Sequence, residues 1–327
     1  MMMIEPIADG ESGESVRAKL NAAIEKANNA MPADEGGDES GWLPESVRQM
    51  IVQGFIDREQ TIGDIDADLA VAVALNLIGA PVVGGFYAGI IDTTRGNIDD
   101  HDYYDARYGR RYALILAPRS LQGGAGASPA PGLPSGALAW DRNRRGWAHV
   151  AQSRTRWNGL LATDYILDNF GDHYEVHRFV QAVRDLYPAP QTPNGSQWYV
   201  PALDELELIF RHFKPAALRT NTGTTTARFP SAVTRGLNPS SDPASDKEYS
   251  NEPLRPGMTR LSAFQQGGSE ALDLERYWTT TDADDALGRA WFTIVNKDRY
   301  AGVSYTRGKD ETGYAVRPVR RVYLDWW

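Results

Sequence analysis

Residues 82–323 contain short apolar runs separated by glycine, proline and asparagine, and this pattern constrains the fold more than any other feature of the chain. Such runs predict strands, and the clearest four are residues 85–91, 112–117, 290–295 and 316–322. The last run contains Pro318, which predicts an edge strand or a bulge. Two stretches with helical periodicity, residues 160–187 and 201–212, separate the first pair of strands from the second. This order predicts an α+β domain rather than a doubly wound sheet.

The composition excludes several classes of protein. Apolar residues make up 42% of the chain and charged residues 24%, which is ordinary for a globular protein with its own core. The chain has no cysteine, so disulfides, thiolate metal sites and cysteine nucleophiles are excluded. A net charge of -9 without a dense basic segment argues against a nucleic-acid partner.

Membrane insertion is not expected either. The longest apolar stretch, residues 69–80, contains Asn76 and is shorter than the ~20 residues that a spanning helix needs. The first residues lack the basic and apolar segments of a secretory signal.

Residues 1–80 differ in character from the rest of the chain. Residues 15–30 predict an amphipathic helix, residues 31–41 an acidic, glycine-rich linker, and residues 44–55 a second short helix. A helix of about four turns cannot bury its apolar stripe alone, so it packs on the rest of the chain or on copies of itself. We expect an N-terminal attachment and oligomerisation region over residues 1–80 and a larger domain over residues 81–327.

Several motifs of the larger domain occur together in one known family. The chain has Trp198 and Pro201 at the start of the second helical stretch, then Tyr277 and Trp278 in a Tyr-Trp-Thr-Thr-Thr segment, then Trp291, and finally Arg317 and Pro318 in a Val-Arg-Pro-Val-Arg segment. Over about residues 82–323 it resembles the C-type-lectin-like domains of phage tail-fibre and related virion proteins. These domains belong to the wider fold group that includes the formylglycine-generating enzymes.

The resemblance implies a C-type-lectin-like recognition domain in a structural protein of the bacteriophage virion, assembled in the host cytoplasm. A tail-fibre or receptor-binding component of this kind recognises the host surface, through a glycan or an outer-membrane protein, without catalysis. The alternative is an architectural capsid or tail decoration, or a head-fibre protein, that contacts only other virion proteins. Residues 11–21 are also similar to the start of many phage fibre and adaptor proteins. That similarity implies attachment to other virion proteins and a homo-oligomer, by analogy a trimer.

No catalytic residue and no cofactor are expected. The formylglycine-generating enzymes of the fold group use cysteines, and this chain has none, so their active site cannot be carried over. The chain also lacks a nucleophile elbow, a Walker phosphate loop and a dinucleotide-binding turn. Glu205 and Glu207 are two residues apart on a predicted helix and face different ways, which argues against an acid and base pair.

No metal site is expected. His173 and His177 are four residues apart, but no third ligand with matching spacing follows them. The acidic segment 281–285 contains oxygen ligands that calcium could use, although it lacks the glycine and terminal glutamate of an EF-hand loop. A solvated turn or a partner for Arg317 is the favoured interpretation, and bound calcium stays open. The Arg317 guanidinium is expected to bind loop carbonyls or a carboxylate such as Asp282, Asp284 or Asp285.

The chain has nine tryptophans and fifteen tyrosines, more than core packing requires, so some are expected to bind a ligand. The candidates are exposed tyrosines in two segments, namely Tyr103, Tyr104 and Tyr108, and Tyr300, Tyr305 and Tyr314. The alternative is that these tyrosines anchor loops, which is the role expected of Trp278 and Trp291. Residues 220–268 and 282–313 are the loops expected to bind the ligand. The terminal Trp326 and Trp327 are expected to pack on the domain or on a neighbouring subunit.

Overall fold

A computed structural model describes residues 67–93, 111–141, 155–170, 174–192, 194–219, 236–251, 253–283, 289–295 and 301–324. The helices predicted for residues 15–30 and 44–55, the linker at 31–41 and the C-terminal tryptophans lie outside these ranges. The chain divides into two units, residues 1–77 and 78–327. In the first unit the structure describes one helix, α1 (Ala67–Ala74), in which Leu69 and Ala72 are buried.

In the second unit the structure describes three α-helices, α2 (Gly159–Phe170), α3 (Glu175–Leu186) and α4 (Leu203–Phe213). Its strands are β1 (Pro81–Val82), β2 (Gly85–Asp92), β3 (Arg111–Leu116), β4 (Gly123–Gly124), β5 (Ser241–Asp242), β6 (Ser250–Asn251), β7 (Leu254–Arg255), β8 (Arg276–Asp282), β9 (Arg289–Val295), β10 (Ala301–Gly308), β11 (Ala315–Val316) and β12 (Val319–Tyr323). No helix among the described residues is long and apolar enough to cross a lipid bilayer.

Two five-stranded sheets form the framework of this unit. In the first sheet the order is β1, β2, β3, β12, and β5 pairs with the far end of β2, with every neighbouring pair antiparallel. In the second sheet the order is β10, β9, β8, β11, β4, and only β8 and β11 run parallel. The predicted α+β class is therefore confirmed.

The chain passes from one sheet to the other at Arg317 and Pro318. β11 pairs with β8 in the second sheet, whereas β12, two residues later, pairs with β3 in the first. Proline has no N–H to donate to a ladder, so the predicted run 316–322 is interrupted where Pro318 stands. The carbonyl of Pro318 still accepts the N–H of Ala117 at 3.0 Å, which holds the crossing against the end of β3.

Other predicted elements agree with the structure to within a few residues. The predicted strands 85–91, 112–117 and 290–295 correspond to β2, β3 and β9, and the stretch 160–187 forms α2 and α3. Helix α4 begins two residues after Pro201, so this proline precedes the helix instead of lying in its first turn. The strands β8 and β10 were not among the predicted strands.

The buried apolar side chains form two clusters. One lies among α2, α3 and the second sheet and is built around Trp140, Trp198 and Trp278. The other joins α4 to the first sheet and includes Phe210 and Phe213. Helix α4 therefore packs on the first sheet.

Candidate functional site

Three carboxylates are buried on the first two turns of α4. Asp204, Glu205 and Glu207 are each at most 3% exposed, although the helix is amphipathic and acidic residues seldom lie inside a protein. Burial raises the pKa of all three carboxyl groups above their usual values. Buried carboxyls with raised pKa values often occur at functional sites, so their partners decide what this group can do.

Glu205 accepts hydrogen bonds at both carboxylate oxygens. The Tyr199 hydroxyl donates to Oε1 at 2.7 Å, and the Tyr112 hydroxyl lies 2.7 Å from the same oxygen and 2.5 Å from the Trp157 carbonyl. The N–H groups of Ala202 and Gly159 donate to Oε2 at 2.7 and 3.3 Å. A Cβ at Gly159 would lie 2.5 Å from Oε2, so this close approach requires glycine.

Arg321 lies beside Glu205 in a cage of aromatic rings. Its guanidinium carbon is 4.9, 5.3 and 5.4 Å from the ring centroids of Tyr112, Tyr199 and Tyr323, and its Nη2 donates to Asn158 Oδ1. The positive charge of Arg321 partly opposes the effect of burial on the pKa of Glu205. The charge of Arg321 therefore compensates the buried carboxylate, and the surrounding rings stabilise the guanidinium away from water.

Glu207 and Asp204 bind the loop that follows residue 235. Glu207 Oε1 accepts the Tyr249 hydroxyl at 2.6 Å, and its Oε2 accepts Asn238 Nδ2 at 2.7 Å and Arg211 Nη2 at 2.9 Å. Asp204 Oδ2 accepts the Ser240 hydroxyl at 3.1 Å, and its Oδ1 accepts Arg156 Nη2 at 2.9 Å.

We call residues 236–268, of which Glu252 is not described, the anchored loop. Its second half also binds the end of α4, since Lys214 Nζ donates to the Pro256 carbonyl at 2.8 Å and the Thr259 N–H donates to the Lys214 carbonyl at 2.9 Å. The ring of Phe264 packs on Phe213, with 4.3 Å between centroids. The described part of the predicted binding loop 220–268 is thus attached to α4 at both ends of the helix.

The anchored loop has one buried and one exposed side. Tyr249 and Phe264 point into the core. The exposed positions include five charged residues, Asp246, Lys247, Glu248, Arg255 and Arg260, and apolar residues such as Leu237, Pro243 and Met258. Of the two loops that the sequence predicted to bind a ligand, this one has an exposed surface that the structure describes.

The α4 carboxylates hold the segments around the helix together. Each oxygen of Glu205 and Glu207 accepts at least one donor from the chain itself, and the donors come from four different segments around α4. A general base must reach a proton on a substrate, and these oxygens already contact donors of the protein. This role of Asp204 is not visible in the sequence, because acidic residues on an amphipathic helix usually indicate its solvated face.

The motif residues lie in or beside the core. Trp198 is buried and its indole N–H donates to the Tyr187 carbonyl at 3.1 Å. Trp278 is buried and its ring stacks on Tyr314 with 4.2 Å between centroids. Trp291 is half-buried, and its carbonyl accepts the Thr279 hydroxyl at 2.9 Å.

The remaining motif residues bind backbone and side-chain groups of neighbouring loops. The Thr280 N–H donates to the Pro201 carbonyl at 2.9 Å, and the Tyr277 hydroxyl donates to Gln122 Oε1 at 3.1 Å. Arg317 donates to the carbonyls of Ala117 and Glu270 and to Glu270 Oε2. The carbonyl contacts were predicted, but the carboxylate is Glu270 and not Asp282, which binds Lys309 at 2.7 Å.

The structure describes few of the predicted ligand-binding tyrosines. Tyr314 is fully buried against Trp278 and Phe292, so it does not belong to an exposed stacking surface and acts as a core anchor. Tyr305 lies on β10, and the surroundings of its side chain are not described. Tyr103, Tyr104, Tyr108 and Tyr300 lie outside the described ranges.

The candidate metal ligands are not gathered into a site within the described part of the chain. His177 is buried between the rings of Trp140 and Tyr174, and its Nε2 lies 3.1 Å from the Thr280 hydroxyl. His173, Asp284 and Asp285 lie outside the described ranges. Among the described residues, no three histidine, aspartate or glutamate side chains are close enough together to hold a metal ion.

Neither the models of protein families, nor the curated proteins, nor the solved structures contain a match to this chain.

Proposed function

We propose that this chain is a non-catalytic recognition protein of a bacteriophage virion, a tail-fibre or receptor-binding component that binds the host surface. The observation that carries the proposal is the anchored loop, whose inner side is bound to α4 by buried polar contacts while its outer side is exposed. A binding surface gains affinity when its backbone is held in place before the ligand arrives, because less conformational entropy is lost on binding.

The chemistry of the exposed side suits a polar ligand. Acidic and basic side chains alternate there, with Asp246 and Lys247 adjacent and Arg255 and Arg260 on the second half of the loop. The charged side chains of this surface can form hydrogen bonds with the hydroxyl groups of a surface glycan or with the rim of an outer-membrane protein. Met258, which is 44% exposed, adds an apolar contact among these charges.

The motif residues support a C-type-lectin-like domain as the scaffold of this surface. Trp198, Tyr277, Trp278 and Arg317 are far apart in sequence, yet each one joins a loop to the core. Large aromatic rings with one polar atom are suited to this task, since they bury area and also satisfy a backbone carbonyl. A domain built in this way can present long loops on a small sheet framework.

The test is adsorption of the labelled full-length protein to a panel of bacterial strains. We expect saturable binding to a subset of strains, and competition by surface polysaccharide or outer-membrane extract from the same strains. The double variant Arg255→Glu with Arg260→Glu is expected to bind roughly tenfold more weakly, which corresponds to about 1.4 kcal/mol. Arg178→Glu is the matched control, because Arg178 is exposed on α3, outside the anchored loop.

Two outcomes would overturn parts of the proposal. Unchanged adsorption of the double variant would show that the anchored loop is not part of the binding surface. If no strain retains the protein better than an unrelated acidic protein of similar size, but the protein adds to particles that lack it, the architectural alternative holds instead.

A further inference from the structure

A lysine and an aspartate are in direct contact inside the domain. Asp282 is the last residue of β8 and Lys309 follows the last residue of β10. Lys309 Nζ lies 2.7 Å from Asp282 Oδ2, and the two side chains are only 3% and 1% exposed. Most ion pairs between lysine and aspartate lie at the surface, where both groups keep their hydration.

Aromatic rings lie beside this pair. The Lys309 ammonium lies 4.4 Å from the centroid of the Trp140 ring. Trp140 is itself fixed by its indole N–H, which donates to the Thr279 carbonyl at 2.8 Å, and by edge contacts with Tyr174 and His177. The Asp141 N–H also donates to the Lys309 carbonyl at 2.7 Å, so the lysine backbone is held as well.

Proton transfer within such a pair would turn it into a nucleophile and an electrophile in direct contact. Removing two opposite charges from water costs free energy, and transfer of one proton from the ammonium to the carboxylate removes both charges at once. The products are a neutral amine, which is nucleophilic, and a carboxylic acid, whose carbonyl carbon can be attacked. Because the fold already holds the two groups in contact, their reaction avoids the entropy cost of bringing two separate molecules together.

We propose that Lys309 and Asp282 form an intramolecular isopeptide bond. Lys309 Nζ attacks Asp282 Cγ, the C–N bond forms, and the bond from Cγ to one carboxylate oxygen breaks. Of the ammonium hydrogens, one stays on the amide nitrogen and two leave with that oxygen as water. The step balances in atoms and charge and needs no oxidant or other reactant.

The bond would join the end of β8 to the end of β10 across the strand that lies between them. It would close a loop that contains β9 and β10, and so would limit the freedom of the unfolded chain in the way that a disulfide does. The chain has no cysteine with which to form a disulfide. This inference goes beyond host recognition and does not depend on it.

The test is the intact mass of the purified full-length protein under denaturing conditions. We expect a species lighter than the sequence mass by one water molecule. After trypsin digestion, residues 277–289 and 308–320 should appear as one cross-linked peptide, because trypsin does not cleave after an acylated Lys309. The full sequence mass alone would overturn the proposal, since this measurement needs no variant to fold.

Variants identify the reacting groups. Lys309→Arg is expected to have its full sequence mass, whereas the control Lys247→Arg, at an exposed position, keeps the loss of one water. Asp282→Asn is expected to lose one ammonia instead of one water, since the same amide then forms from a carboxamide. A loss of water that persists in Lys309→Arg would mean dehydration elsewhere and would overturn the assignment.

Discussion

Arg317 binds Glu270 through two separate groups of that residue. Its Nη2 donates to the Glu270 carboxylate and its Nη1 donates to the Glu270 carbonyl, each at 2.7 Å. The N–H of Arg119 donates to the same carboxylate oxygen at 2.7 Å. Glu270 therefore joins the segment after β3 to the point where the chain changes sheets.

A lysine in place of Arg317 should not reproduce these contacts. Lysine keeps the charge but lacks the planar fork that reaches the Ala117 and Glu270 carbonyls and the carboxylate together. We expect Arg317→Lys to lower the free energy of unfolding by about 2–3 kcal/mol, measured by urea denaturation. Arg255→Lys, at an exposed position, is the control and should change it by less than about 0.5 kcal/mol. Equal effects of the two variants would contradict the structural role of Arg317.

Removal of one donor to Glu205 should destabilise the protein. Tyr199→Phe removes the hydroxyl that donates to Oε1, in a site without access to water. We expect a loss of about 1–3 kcal/mol in urea denaturation, the range for a buried hydrogen bond to a charged group. The control is Tyr187→Phe, which removes an exposed hydroxyl bond to the Pro131 carbonyl and should cost clearly less. A smaller cost for Tyr199→Phe would mean that Tyr112 alone satisfies this oxygen.

His177 should make the stability fall with acidification. Burial first, and then the charge of Arg184, lower the pKa of His177 from 6.5 to about 3. Between these two values the unfolded chain binds a proton that the folded chain does not, so the free energy of unfolding falls as the pH falls. The contribution of one such group is about 1.4 kcal/mol for each pH unit.

The variant His177→Gln tests this contribution, because glutamine can still reach the Thr280 hydroxyl but does not titrate. We expect its free energy of unfolding to fall less than that of the wild type between pH 6 and pH 4, in parallel urea titrations. Asp204, Glu205 and Glu207, whose pKa values are raised, act in the opposite direction in both proteins and cancel in the difference. Parallel curves for the two proteins would show that His177 is protonated in the folded state.

Tyr314 should tolerate the loss of its hydroxyl better than the loss of its ring. Tyr314→Phe keeps the stack on Trp278 and loses the hydrogen bond to Glu311, at a cost of about 0.5–1.5 kcal/mol. Tyr314→Ala leaves a cavity beside Trp278 and should cost about 3–5 kcal/mol. Adsorption of the folded Tyr314→Phe protein to bacteria should equal that of the wild type. Reduced adsorption at unchanged stability would mean that Tyr314 does belong to the binding surface.

The sequence predicted the fold class because apolar periodicity depends on neighbouring residues alone. β2, β3 and β9 are short runs that are apolar on both faces, and α4 has a clear apolar stripe. β8 was not predicted as a strand, because its Tyr-Trp-Thr-Thr-Thr segment has three buried threonines that do not give an apolar pattern. Those threonines satisfy their hydroxyls through partners distant in sequence, such as Thr155 and Trp291.

The candidate site was harder to predict for the same reason. The partners of Glu207, such as Asn238 and Tyr249, lie 31 and 42 residues further along the chain. They belong to a loop without periodicity. Tyr314 looked exposed because its neighbours in sequence are polar and glycine-rich, yet its ring packs on Trp278 and Phe292. Sequence identified the residue types that matter here, but their contacts depend on the pairing of distant strands.

The pairing of β12 with β3 also bears on how fast this domain folds. All five residues of β12 pair with β3, although the three long strands of the second sheet and three helices lie between them in the chain. A ribosome must therefore synthesise most of the domain before β3 can pair with β12. Closing this long loop costs chain entropy before the strand pairing can stabilise the structure. We therefore expect folding to be slow. Until β12 pairs with it, one edge of β3 has unpaired backbone groups, and a chaperone or a second nascent chain could bind them.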